Sequence, residues 1–123
     1  IQKAPLADYL RSRGHEVIDL GPDNDDRVDY PDFADRVARL VATGGAERGV
    51  LVCGTGIGMA LTADKVAGIR ASVIQTPEFA HLFREHNDGN VLCLPGRFTG
   101  GRHADRVEKI MREDDPDFAG VDA

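Results

Sequence analysis

The stretch GVLVCGTGIGM, residues 49–59, decides the fold. Its first half, GVLVC, is apolar throughout and lacks polar alternation. That is the pattern of a strand buried on both faces of a parallel sheet. Its second half is a glycine-rich turn leading into a helix that reads through about Lys65. Parallel folds gather their ligands at the carboxyl ends of the strands, where such a turn stands.

Outward from this stretch, short apolar runs and amphipathic helices keep alternating. Upstream, residues 4–13 read as a helix with Leu6, Tyr9 and Leu10 on one side, ended by Gly14. EVIDL, residues 16–20, reads as a strand, and the acidic stretch 21–29 as a loop. Asp29 can cap a helix that tolerates Pro31 in its first turn and repeats Phe33, Val37, Leu40 and Val41. Downstream, IRASVI, residues 69–74, reads as a strand. Thr76 and Pro77 open a helix with Phe79, Leu82, Phe83 and His86 on one face. NVLCL, residues 90–94, is the last strand, and a final helix spans about 102–112. This order specifies a parallel sheet with covering helices, in a single domain over residues 1–123.

Composition narrows the function classes. The chain has 123 residues, 41% of them hydrophobic and 6% aromatic, which suits one compact domain with an aliphatic core. Its formal net charge of -6 argues against a nucleic-acid binder, while leaving room for an anionic metabolite held by a few arginines. No apolar run reaches the length that spans a bilayer, and the first residues have no signal-peptide character. Cys53 and Cys93 form neither a CxxC pair nor a metal cluster with the four histidines. A reducing cytoplasm is the expected compartment.

CGTGIGM, residues 53–59, carries the chemistry. It lacks the Lys-Ser/Thr of a Walker loop and the spacing of a dinucleotide fingerprint. Glycines let the backbone approach a ligand, and backbone N–H groups at a helix start favour an anion. A thiol in that setting ionises more readily, and the thiolate is its reactive form. Cys53 could therefore take a proton beside a carbonyl while the turn steadies the resulting oxyanion. The bland alternative has equal weight on the motif alone: Cys53 as a small buried hydrophobe.

Four further matches accompany this motif: GHEVIDLG at 14–21, VDYPDFA at 28–34, KVAGIRA at 65–71 and REHNDGNVL at 84–92. Together, in this order, they resemble the ribose-5-phosphate isomerase B family, which includes galactose- and allose-6-phosphate isomerases. The resemblance implies a three-layer α/β/α, Rossmann-like parallel sheet of five strands. It implies aldose–ketose isomerisation of a phosphorylated sugar without metal or cofactor. It also implies a homodimer, or a tetramer built from it, whose active sites are shared between chains.

The resemblance assigns roles residue by residue. Cys53 becomes the base that moves a proton between C2 and C1, placing the chain in the family's cysteine branch. The other branch carries a Glu where Met59 stands. Thr55 positions or protonates the enediolate, and Gly54, Gly56, Ile57 and Gly58 present the anion-binding backbone. His86 opens the furanose ring from the partner subunit, with Asn87 beside it. Arg102 and Arg106, on one helix face at i and i+4, hold the phosphate. Arg97 is a weaker candidate for substrate contact, and Tyr30 for the pocket border. Without the family, His86 reads as a helix cap, Arg102 and Arg106 as a solvated face, and Tyr30 as packing. His15 and His81 have no partner at ligand spacing, and Cys93 reads as core.

Two features depart from the family pattern. The family opens with a strand and an Asp-His-Ala-Gly loop, and this sequence starts just after that point. The family also carries a helix and linker where FTG, residues 98–100, here runs into GRHADR. The expectation is a longer natural chain containing both, with four of the five strands readable here. Ribose 5-phosphate is the expected substrate. The rivals are a hexose 6-phosphate and a non-catalytic sugar-phosphate-binding domain.

Overall fold

The computed structural model describes residues 3–20 and 30–95. Within them the chain forms α1 (Lys3–Ser12), α2 (Tyr30–Ala42), β1 (Gly49–Cys53), α3 (Ile57–Ala63), β2 (Ala71–Val73), α4 (Pro77–Asn87) and β3 (Val91–Pro95). The final helix expected at 102–112 lies outside the described residues.

The three strands are parallel in the order β1-β3-β2. The last strand in sequence is thus central in the described sheet. Its five residues are all buried, consistent with a strand covered on both faces. Alternation along β3 assigns the two faces. Val91 and Cys93 join a core with Ala34, Ala38 and Val41 of α2 and Met59, Ala60 and Ala63 of α3. Leu92 and Leu94 join a second core with Leu6 and Leu10 of α1 and Ala80 and Phe83 of α4. The result is the three-layer α/β/α arrangement expected. From β1 to β2 the chain crosses the sheet in one direction, and from β2 to β3 it steps back. Crossovers of one hand must then put α3 and α4 on opposite faces, where they are found.

Local signals explain the helix ends. Thr76 caps α4 by accepting a hydrogen bond from the Phe79 N–H at 3.1 Å, with Pro77 in the first turn. Gly14, at φ 91°, lets the chain leave α1, and the His15 N–H closes back on the Leu10 carbonyl at 3.1 Å. After α3, Asp64 accepts a hydrogen bond from the Ala71 N–H at 2.7 Å, tying the helix exit to the start of β2.

Three expectations are corrected. Residues 16–20 form no strand, because no described strand pairs with them; Val17 only packs against the α1–α4 core. An isolated extended segment has no ladder to stabilise it. In α4 the buried face holds Ala80 and Phe83, whereas Phe79 and Leu82 are 56% and 40% exposed. In α2 the buried stripe runs through Ala34, Ala38 and Val41, so that of the expected repeat Val41 is core and Val37 packs half-buried against it, while the two alanines let α2 approach α3 closely. Cys93 is core as expected.

Candidate active site

β1 delivers the glycine turn to the carboxyl end of the sheet. Cys53 is the last residue of β1 and is in register with Pro95, the last of β3. Gly56 adopts φ 80°, a left-handed conformation that costs residues with a Cβ about 1–2 kcal/mol. It is also buried against the neighbouring strands. A Cβ there would stand 3.3 Å from both methyls of Val73 and 3.6 Å from the Leu94 carbonyl carbon. The turn therefore leaves β1, passes over β3 and rests on the end of β2. Met59 sinks into the core behind it, 8% exposed, where a charged side chain would be costly.

Thr55 is exposed, and its hydroxyl oxygen accepts a hydrogen bond from the Ile57 N–H at 3.2 Å. That bond leaves the Thr55 O–H hydrogen for another acceptor. It also commits the Ile57 N–H within the turn, unlike the expectation that Ile57 presents its backbone to an anion. The Ile57 side chain is 56% exposed. Gly54 and Gly58 are half-buried, and the Gly58 carbonyl accepts a hydrogen bond from the Thr62 hydroxyl at 2.9 Å.

His86 and Asn87 stand at the other end of the sheet. α4 starts beyond the carboxyl end of β2 and returns to the amino end of β3. Its 11 residues, at 1.5 Å each, separate the two ends by roughly 15 Å. Within one chain the turn and His86 therefore do not meet. The His86 side chain is 64% exposed, and its Nε2 lies 3.9 Å from Glu85. Asn87 is exposed and lines a cavity of about 340 Å³ with Arg70, Ala71, Ser72 and Phe83.

Against this geometry the comparisons are decisive. Residues 2–114 match the Ribose/Galactose Isomerase family. The chain belongs to that family. It is 42% identical over 128 residues to ribose-5-phosphate isomerase B of Escherichia coli, covering 89% of this chain and 86% of that one. It superposes with a TM-score of 0.84 on the crystal structure of ribose-5-phosphate isomerase B from Mycoplasma genitalium with bound ribulose-5-phosphate. That match has 36% identity and covers 89% of this chain and 74% of the other. It is also 42% identical over 98 residues to galactose-6-phosphate isomerase subunit LacB of Clostridium acetobutylicum, covering 80% and 57%. The protein is an isomerase.

In this isomerase the structure brings Cys53, Gly54, Thr55, Gly56, Ile57 and Gly58 together at one strand end, and His86 with Asn87 at the other. Tyr30 opens α2. Arg97, Arg102 and Arg106 lie outside the described residues. Among the described residues no group of three His, Cys, Asp or Glu side chains could hold a metal ion, and no helix is long and apolar enough to cross a membrane.

Sequence reasoning missed the corner that follows Asn87. Asp88 is the one non-glycine residue with positive φ, 48°, among the described residues. Arg84, its side chain 7% exposed, donates to the Asp88 carboxylate at 2.8 Å and the Gly89 carbonyl at 2.7 Å. Arg70 donates to the Asp88 carbonyl at 2.6 Å. Buried Asn90 accepts from the Arg70 N–H at 2.8 Å and donates to the Gly68 carbonyl at 3.0 Å. Nearby Arg48 has its pKa lowered, first by burial and then by the charge of Arg84. The signal was present in GIRA and REHND, but nothing local says that residues 70 and 88 meet.

Proposed function

We propose that the protein interconverts D-ribose 5-phosphate and D-ribulose 5-phosphate through an enediolate. The observation that carries this reading is Cys53 closing β1 immediately before a turn pressed onto the sheet end by Gly56. Acting as thiolate, Cys53 takes the C2 proton of the open-chain aldose. The electron pair shifts toward the C1 carbonyl, giving the enediolate. The proton returns to C1 as O2 becomes the carbonyl, and the hydroxyl proton passes from O2 to O1. The Thr55 O–H, not consumed by its bond from Ile57, is available to the enediolate oxygens. Gly54, Gly56 and Gly58 keep the approach open. Arg97, Arg102 and Arg106 hold the phosphate in this reading, on the strength of the resemblance alone, and Tyr30 borders the pocket.

The separation of His86 from the turn supports a homodimer in which His86 and Asn87 of one chain serve the turn of another. Phe79, Leu82 and His86 share the exposed side of α4, and a second copy of the chain is the partner that side would meet. A thiolate base needs a reducing compartment, which supports a cytoplasmic location.

A galactose-6-phosphate activity is the second reading, favoured by the LacB similarity. The test is turnover of ribose 5-phosphate, galactose 6-phosphate and allose 6-phosphate by the purified protein, with Cys53→Ala alongside. The proposal expects ribose 5-phosphate to have the highest kcat/KM, with a loss of roughly 10²–10⁴ in the variant. Turnover surviving in Cys53→Ala removes Cys53 from the mechanism, and a preferred hexose phosphate replaces the substrate.

A further inference from the structure

The corner after α4 is built more rigidly than ending a helix requires. A glycine would leave the helix in a left-handed conformation without strain. Here an aspartate does so, and its carboxylate meets two guanidiniums. Arg84 binds one oxygen at 2.8 Å, and Arg70 Nη2 stands 3.4 Å from the other. Arg70 also binds the backbone on both sides, through the Asp88 carbonyl at 2.6 Å and the Gly68 carbonyl at 2.9 Å. Gly89 packs on the Phe83 ring so closely that a Cβ would overlap it. Among the described residues, His86 has only a distant ionic neighbour in Glu85, at 3.9 Å. The direction of its imidazole therefore depends on the backbone below, and the corner holds that backbone. Arg70 also lines the same cavity as Asn87.

We propose that Arg70 and Asp88 are positioning residues for ring opening, fixing His86 and Asn87 so that they enter the site of a second chain in one orientation. This rests on the isomerase reading above. It predicts damage confined to the ring-opening step. Ribose 5-phosphate must open before C2 can lose its proton. Ribulose 5-phosphate has no such step, because its O5 is phosphorylated and cannot close a five-membered ring on C2. Cys53 can exchange its C1 proton with solvent directly.

The experiment uses Arg70→Met and Asp88→Asn, with His86→Ala and wild type alongside. Arg70 is 45% exposed, so Met leaves the core intact, and Asn tolerates the left-handed conformation while losing the charge. Two rates are measured: turnover of ribose 5-phosphate, and deuterium uptake at C1 of ribulose 5-phosphate by NMR in D₂O. The expected result is a roughly ten- to hundredfold loss in turnover with exchange within about twofold of wild type, matching His86→Ala. Equal losses in both rates, or none in either, overturn the proposal. If wild type shows neither rate, the isomerase reading falls and this inference falls with it.

Discussion

Gly56 rests on Val73 of β2, although β3 lies between β2 and β1, the strand its turn leaves: a Cβ on Gly56 would be 3.3 Å from both Val73 methyls. The turn that follows the candidate base is thus supported by a strand that is not its sheet neighbour. Its position is a product of the whole sheet edge. Gly56→Ala should add left-handed strain and crowd Val73, lowering stability by about 1–3 kcal/mol. Urea unfolding checks this. Val73→Ala in the same chain should recover the crowding part and leave the strain.

Thr55 has two separable functions in the proposed mechanism. Its oxygen receives the Ile57 N–H, and its hydrogen is available to the enediolate in that reading. Thr55→Ser preserves both and should keep kcat within about threefold, whereas Thr55→Val removes both and should lower kcat by roughly 10²-fold. Its exposure keeps the expected stability loss of Thr55→Val to about 1 kcal/mol. Steady-state kinetics and thermal melting separate the two effects.

Phe79 and Leu82 face outward from α4, two turns and one turn before His86 respectively. If a second chain covers them, Phe79→Glu with Leu82→Glu should yield folded monomers with little turnover of ribose 5-phosphate. Sedimentation velocity and circular dichroism read this directly. A double variant that remains dimeric and active would move the interface elsewhere.

Gly89 has no room for a methyl group against the Phe83 ring. Gly89→Ala should destabilise the fold by about 1–3 kcal/mol. Adding Phe83→Leu should recover part of that loss, giving a non-additive cycle in urea unfolding. Additive losses would mean that the two positions do not meet as described.

Much of this protein was legible in its order of residues. The apolar run 49–53, the glycines after it and Thr76-Pro77 are local signals, since hydrophobic period, caps and turn chemistry act over a few residues. They located the helices, the strand that ends on Cys53 and the turn. The exposed Phe79 and Leu82 misled, because they repeat at helical spacing as core residues do; in α4 the small Ala80 shares the core side with Phe83.

Tertiary structure decided what local signals cannot carry. EVIDL has the composition of a strand, yet a strand exists only with a hydrogen-bonded neighbour, and none of the described strands provides one. The central position of β3, the meeting of Gly56 with Val73 and the bond from Arg70 to Asp88 join residues 17 or more apart in sequence. So does the roughly 15 Å along α4 that keeps His86 from the turn in its own chain. Sequence by itself marked the candidate residues for the chemistry. Packing around the sheet decided which of them meet, because those contacts depend on strand pairing and on which face each helix covers.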